Sequence, residues 1–126
     1  MSSKKPVRAS SEEKLFSLID RISGHSYVFL VFSAPWCGAC TKQYGVLKSW
    51  VKKNKDDAQA VIADIERHPS LTNTFGLRSI PTLVVIRGNR KLIKVNGLQS
   101  KRELGKLLKK AQDAYVQAPT PDQFLG

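Results

Sequence analysis

Apolar residues follow two repeating patterns along this chain, and these patterns predict buried strands and one-sided helices. Runs of wholly or mostly apolar residues at 27–32, 59–65 and 83–86 are typical of strands that are covered on both faces. In three other segments the apolar residues are spaced three and four apart, which is helix spacing. These positions are Leu15, Leu18, Ile19 and Ile22; Cys40, Tyr44, Leu47 and Val51; and Leu104, Leu107, Leu108 and Ala111.

Residues that favour helix ends mark the limits of the three long helices. Ser10 and Glu13 have the spacing of a capping box and predict the start of the first helix, which the Ser23-Gly24 step ends. The second helix is predicted to run from Cys37 to about Lys53. Ser100 is the expected N-cap of the last helix.

Shorter elements connect the runs. Residues 69–76 predict a short helix that begins at a proline and ends at a glycine. Residues 87–90 predict a hairpin turn into a strand at 91–95. Because a helix separates the runs at 27–32 and 59–65, we expect those two strands to be parallel.

The chain has 126 residues, enough for one domain, and 41% of them are hydrophobic, enough for a core. We place this domain at residues 10–115. Residues 1–9 are expected to form a basic arm or a short edge strand, and residues 116–126 a mobile tail. No apolar run is long enough for a membrane span, and the N-terminus lacks an apolar signal core, so we expect a cytoplasmic monomer without membrane contact.

The net charge of +11 is unusual, with 21 Lys and Arg against 10 Asp and Glu. Basic clusters lie at residues 52–55, 87–94 and 101–110. Such a surface can bind an acidic protein or nucleic acid, or it can consist of solvated helix faces and hairpin edges. A groove for single-stranded nucleic acid would require aromatic residues among the basic ones, and these clusters contain none.

Cys37 and Cys40 are the only cysteines, and they stand where a buried strand gives way to a helix. The first turn of a helix has unpaired N–H groups and a positive dipole end, and both favour a thiolate. In such places the cysteine pKa is about 3.5 to 7.5 instead of about 8.5. Cys37 is therefore the expected nucleophile. Cys40, one turn deeper on the apolar stripe, is the expected resolving thiol of a redox-active pair.

Two other interpretations of the cysteine pair are weaker. A purely structural disulfide would close too short a loop to remove much entropy from the unfolded chain. A zinc site needs further ligands, and only His25 and His68 could join the cysteines, without a paired ligand motif. We therefore expect no metal.

Two segments and the order of elements identify a family resemblance. Residues 32–40 read Phe-Ser-Ala-Pro-Trp-Cys-Gly-Ala-Cys and resemble the active-site segment of thioredoxins. Residues 75–83 resemble the segment that carries the cis-proline of that family. The likeness extends over about residues 10–114. It implies an α/β thioredoxin fold, with a mixed sheet of four to five strands flanked by helices on both faces.

The resemblance also implies roles for particular residues. It implies a cis bond before Pro81, although an ordinary trans proline can also open a strand. The backbone of Ile80 would pair with the bound substrate chain, and Gly97 would flank the groove. The whole substrate-binding rim would comprise Trp36, Gly38, Ala39, Ile80, Pro81 and Gly97.

The chain departs from the family at five places. Ala39 stands where relatives usually have proline, which leaves the redox potential open. Val31 replaces a buried aspartate that assists the second cysteine, and residues 61–63 lack its lysine partner. Losing both charges together leaves no unpaired ion. Ser33 replaces a tryptophan, and Gly45 replaces a helix-kinking proline.

The leading hypothesis is a thioredoxin-type reductase of protein disulfides, with Cys37 as nucleophile and Cys40 as resolving thiol. It needs no bound cofactor; the resemblance implies that thioredoxin reductase or a similar NADPH-dependent flavoprotein restores the dithiol. The alternative is an accessory module that docks on a protein or nucleic-acid complex through its basic surface. An oxidase or isomerase would need an oxidising compartment.

Overall fold

The computed structural model describes residues 6–117, which form a five-stranded sheet with helices on both faces. Its elements in chain order are β1 (Val7–Arg8), α1 (Glu12–Ser23), β2 (Tyr27–Ser33), α2 (Gly38–Lys53), β3 (Ala58–Asp64), α3 (Leu71–Thr74), β4 (Thr82–Arg87), β5 (Arg90–Asn96) and α4 (Lys101–Gln117).

The strand order in the sheet is β1-β3-β2-β4-β5, which places β2 at its centre. β2 pairs with β3 in parallel, and β3 pairs with β1 in parallel, whereas β4 runs antiparallel to both β2 and β5. The predicted mixed sheet and the predicted parallel pair are therefore confirmed. The parallel register joins Val31 to Ile62, a pairing that matters for the site.

Alternate side chains of β2 fill two separate cores, which is why the strand reads as one continuous apolar run. Phe29 and Val31 belong to the core that α2 and α4 cover. Leu30 and Phe32 belong to the core on the opposite face, beneath α1 and α3. Phe29 and Phe32 are completely buried, and truncating either to alanine is expected to cost about 3–5 kcal/mol.

Two helix boundaries differ from the sequence prediction. Ser11, and not Ser10, caps α1: it is extended, and its Oγ accepts a hydrogen bond from the Lys14 N–H at 3.2 Å. The first helical bond, from the Leu15 N–H to the Ser11 carbonyl, fixes that start. The short helix covers only Leu71–Thr74, because Pro69 and the residues around it form turns instead of helix.

The start of α4 is as predicted. The Ser100 Oγ accepts from the Glu103 N–H at 3.1 Å, and a Glu103 carboxylate oxygen accepts from the Ser100 N–H at 2.8 Å. This is a reciprocal capping box. The helix continues to Gln117; the remaining tail residues, 118–126, lie outside the described part of the chain, as do residues 1–5. Among residues 6–117, no helix is long and apolar enough to cross a membrane.

Candidate active site

Cys37 and Cys40 lie where the central strand β2 turns into α2. Cys37 is the N-cap of α2, with an extended backbone, and so stands just before the first turn in which the sequence placed it. Its Sγ accepts a hydrogen bond from the Cys40 N–H at 3.1 Å, and its carbonyl accepts from the Thr41 N–H at 3.2 Å. The sulfur thus takes the position of a capping oxygen, where the helix terminus supplies free donors to an anion.

The two cysteines are joined by a disulfide, with their Cα atoms 5.2 Å apart. Cys37 is 8% exposed and Cys40 is 3% exposed. The first cysteine is thus the more accessible, in the order that the sequence predicted, although both are largely covered in this oxidised state.

The cis peptide bond expected before Pro81 is present. Ile80 packs against a small apolar cluster that contains both cysteines and Ala34. The fold therefore brings Ile80, which lies just before β4, against the dithiol at the start of α2.

Gly97 lies beside this segment in the loop between β5 and α4. Its N–H donates to the Pro81 carbonyl at 2.8 Å, and its φ of +88° is one that glycine adopts without strain. The Thr82 hydroxyl contacts the side-chain oxygen of Asn96 at 3.0 Å. The predicted rim residues of the two loops are thus linked directly.

Gln43 of α2 also binds the loop between β5 and α4, and the sequence did not single out this residue. The residue lies one turn after Cys40 and is only 1% exposed. Its Nε2 donates to the Gln99 carbonyl at 3.0 Å, and its Oε1 accepts from the Gln99 N–H at 2.6 Å. The Gln99 Nε2 in turn donates to the Gly97 carbonyl at 3.1 Å. A polar residue on the apolar stripe of α2 was the available signal, because a buried amide requires partners.

The exposed part of the site is formed by Trp36, which is 66% exposed, together with the exposed Gly38 and Ala39. The Trp36 indole N–H donates to a Glu66 carboxylate oxygen, a contact that the sequence analysis did not anticipate. Leu98, next to Gly97, is also exposed and adds a second large apolar side chain near the rim. Exposed apolar side chains next to a reactive pair are suited to binding a protein chain.

A pocket of about 280 Å³ lies behind Cys40. Val31 and Ile62 line it, and these two residues are direct partners across β2 and β3. Val31 stands where the family resemblance implies an aspartate, and the residue directly across the strand pair, Ile62, lies in the segment that lacks the lysine and is also apolar. Arg8 and Asp64 line the same pocket and are the charged side chains in its lining.

The histidines considered as zinc ligands do not join the cysteines. His25 is exposed, whereas His68 is buried and its Nε2 lies 3.3 Å from the Ala9 carbonyl. Within the described part of the chain there is no group of three or more His, Cys, Asp and Glu side chains that could hold a metal.

Comparison with known proteins agrees with this geometry. Residues 8–110 match the model of the thioredoxin family. The thioredoxin of Alicyclobacillus acidocaldarius is 32% identical over 83 residues, which cover 66% of this chain and 79% of that protein. Thioredoxin 1 of a Nostoc strain is 31% identical over 83 residues, covering 66% of this chain and 78% of that one.

Solved structures extend the likeness in fold over nearly the whole chain. A mutant thioredoxin from Halobacterium salinarum superimposes with a TM-score of 0.75 at 24% identity, covering 96% of this chain and 98% of the other. A thioredoxin from Nicotiana alata gives a TM-score of 0.74 at 23% identity, covering 88% of this chain and 98% of the other. At these identities the superpositions establish the fold alone.

Proposed function

This chain belongs to the thioredoxin family and is a thiol–disulfide oxidoreductase, and from that premise we propose that it reduces the disulfides of other proteins. The observation that carries the proposal is the Cys37–Cys40 pair at the N-terminus of α2, in which the first sulfur already accepts a helix N–H. The same donor favours the Cys37 thiolate once the pair is reduced, because it stabilises the charged form.

The first step is attack of the Cys37 thiolate on one sulfur of the substrate disulfide. The Cys37 Sγ forms a bond to that sulfur, and the other substrate sulfur leaves as a thiolate that takes a proton from water. The product is a mixed disulfide. Cys37 is suited to this step because it is the more exposed of the two cysteines.

The second step is attack of the Cys40 thiolate on the Cys37 Sγ. The bond between Cys37 and the substrate breaks, and the substrate leaves with its second sulfur reduced. Two electrons have then passed from the dithiol to the substrate, and the Cys37–Cys40 disulfide remains. Cys40 must lose its thiol proton beside the apolar Val31 and Ile62, so we expect this step to be slower than in relatives that have a carboxylate there.

We propose that the substrate chain lies across the rim formed by the dithiol turn and the two loops beside it. Support comes from the packing of Ile80 against the cysteine cluster and from the hydrogen bond between Gly97 and the Pro81 carbonyl. The proposed rim comprises Trp36, Gly38, Ala39, Ile80, Pro81 and Gly97.

The proposed cycle requires an external source of electrons. We propose an NADPH-dependent flavoprotein of the thioredoxin reductase type, acting on a monomer in a reducing compartment such as the cytoplasm. A reducing compartment is needed because the dithiol must be the resting form of a reductase.

Insulin reduction tests the proposal. The protein should accelerate the precipitation of insulin B chains when dithiothreitol supplies the electrons, and again when NADPH and a thioredoxin reductase supply them. Activity with dithiothreitol alone would support the reductase and contradict the proposed electron source. No acceleration under either condition would refute the reductase function.

A further inference from the structure

Charge is divided unequally between the helices on the two sides of the sheet, although Lys91 and Lys94 of β5 also place positive charge beside Phe75 on the α1–α3 side. α2 and α4 cover one face, and α1 and α3 cover the other. α2 has four lysines and no carboxylate, for a net charge of +4; α4 has five basic and two acidic residues, for +3. α1 has two basic and three acidic residues, for −1, and α3 has no charged residue. The α2–α4 layer thus carries +7 and the opposite helical layer −1.

All of the basic residues in the α2–α4 layer are exposed, so the charge faces solvent. We call this surface the cationic face. Its basic residues are Lys42, Lys48, Lys52 and Lys53 on α2, and Lys101, Arg102, Lys106, Lys109 and Lys110 on α4.

The cationic face begins at the dithiol. Lys42 follows Cys40 by two residues, and Lys101 opens α4 directly after the loop that carries Gly97. The two hydrogen bonds between Gln43 and Gln99 bring these helix ends together at the rim. A protein that presents a disulfide to Cys37 must therefore approach the positively charged end of this layer.

From this arrangement we infer that the cationic face selects substrates whose disulfide is flanked by acidic residues. The inference rests on the proposed reductase function and adds a substrate class to it. The sixteen residues of α2 span about 24 Å, so the positive charges extend well away from the dithiol and attract an approaching partner over a large area. These charges are exposed, and physiological salt screens them over a Debye length of about 8 Å, so the attraction should weaken as salt is added. Such fields raise association rates by about 10- to 1000-fold at low ionic strength.

The partner is a protein and not single-stranded nucleic acid. Nucleic-acid grooves of that kind combine positive charge with aromatic side chains on which the bases stack. In α2 and α4, the aromatic residues Tyr44, Trp50 and Tyr115 are buried or half-buried, and the exposed positions carry none. The face therefore provides long-range attraction without a stacking surface.

Three synthetic disulfide peptides test the inference. They share one cystine and differ only in flanking residues, which are glutamates, serines or lysines. The reduced protein is mixed with each peptide, the reaction is stopped with acid, and the second-order rate constant is measured from the amount of reduced peptide separated by chromatography. We expect the glutamate peptide to react at least tenfold faster than the lysine peptide in about 20 mM salt, and less than about twofold faster in about 0.5 M NaCl.

Two matched double variants locate the effect. Lys48→Glu with Lys52→Glu changes the charge of the cationic face by −4, at positions away from the dithiol. Lys14→Glu with Arg21→Glu makes the same change on α1. We expect the first pair to slow the glutamate peptide at least threefold and the second to leave it within about 1.5-fold. The rate with the serine peptide should stay unchanged in both and reports intact folding and chemistry.

The outcomes separate the two proposals. Equal rates for all three peptides would overturn the substrate preference while leaving the reductase function in place. Failure to reduce even the serine peptide would refute the reductase itself. Equal losses in both double variants would overturn the assignment to the cationic face. If oligothymidylate binds this face with a Kd below the KM of the glutamate peptide, the partner class is nucleic acid and the inference is wrong.

Discussion

Replacing Gln43 by methionine should loosen the loop that carries Gly97 while leaving the dithiol chemistry intact. Methionine has nearly the same length and shape as glutamine and fits a buried position, but it cannot donate to the Gln99 carbonyl, and its thioether sulfur is only a weak acceptor for the Gln99 N–H. The change therefore removes two hydrogen bonds without opening a large cavity.

The size of the effect follows from these two bonds. A hydrogen bond of this kind contributes about 1 kcal/mol net, so their loss should lower the free energy of unfolding by about 2 kcal/mol. The backbone groups of Gln99 are only half-buried and can bind water once released, which keeps the cost from rising further. If half of this energy appears in substrate binding, KM for a disulfide peptide should rise about fivefold.

Three measurements check the Gln43→Met variant. Urea unfolding gives the stability, and amide hydrogen exchange at Gln99 should become much faster because its N–H loses its acceptor. Steady-state peptide reduction should show a raised KM with a nearly unchanged kcat, since neither cysteine is touched. A Gln112→Met variant, near the far end of α4, is the matched control and should change neither exchange at Gln99 nor KM.

One combination of results would contradict a positioning role for Gln43. If stability falls by about 2 kcal/mol while Gln99 exchange and KM stay at their wild-type values, Gln43 contributes only to the core and does not position the loop. An unchanged stability would show instead that the two hydrogen bonds have no net value.

Four further changes test other parts of the site and fold. Cys40→Ser should trap a covalent mixed disulfide through Cys37, visible by mass spectrometry; turnover at the wild-type rate would contradict the assigned roles. Val31→Asp places an unpaired carboxylate at a position that is 1% exposed, so urea unfolding at pH 7 should show a loss of about 3 kcal/mol, and a smaller loss at pH 4, where the acid is neutral. Ser100→Ala should cost about 1 kcal/mol of unfolding free energy through loss of the cap; an unchanged value would rule out the capping role. The hydrogen bond from the Ser100 N–H lowers the pKa of Glu103, so the carboxylate contributes to stability at neutral pH. In urea unfolding, wild type should therefore be more stable than Glu103→Gln at neutral pH. This difference should disappear as the pH falls below the ordinary range for glutamate.

The chemistry-bearing residues could be predicted because each follows from a local pattern. The cysteine pair stands between a continuous apolar run and a helical stripe, and both patterns are visible over a few residues. The strand-to-helix junction and the cap at Ser100 are local in the same sense. The parallel pairing of β2 and β3 joins residues far apart in sequence, but its direction follows from the helix that separates the two strands. Where two adjacent residues offer the same chemistry, as Ser10 and Ser11 do, the pattern alone does not choose between them, and the helix begins one residue later than predicted.

The contacts that organise the rim could not be predicted, because they join residues far apart in sequence. Gln43 and Gln99 are separated by 56 positions, and Trp36 and Glu66 by 30. In neither pair does the residue type of one member indicate where in the sequence its partner lies. Only the packing of α2 beside the loop after β5 gives the buried amide its two backbone partners.

The pairing of Val31 with Ile62 shows why the apolar replacement near Cys40 is tolerated by the fold. A carboxylate at position 31 is stable in the core only with a nearby cation, because the interior disfavours an unpaired charge. With isoleucine directly across the strand pair, valine satisfies the core without any charge, and Val31 remains 1% exposed. Cys40 therefore lies beside apolar side chains at both of these positions, and Asp64 supplies the carboxylate in the lining of the shared pocket, so we expect slower loss of the Cys40 proton than beside a carboxylate at position 31. A carboxylate at position 31 should therefore speed the release of substrate only if the residue opposite is changed as well. A Val31→Asp, Ile62→Lys double variant should recover much of the stability lost by Val31→Asp alone and should release substrate from the mixed disulfide with Cys37 faster than wild type. A double variant that releases substrate no faster would show that deprotonation of Cys40 does not limit the cycle.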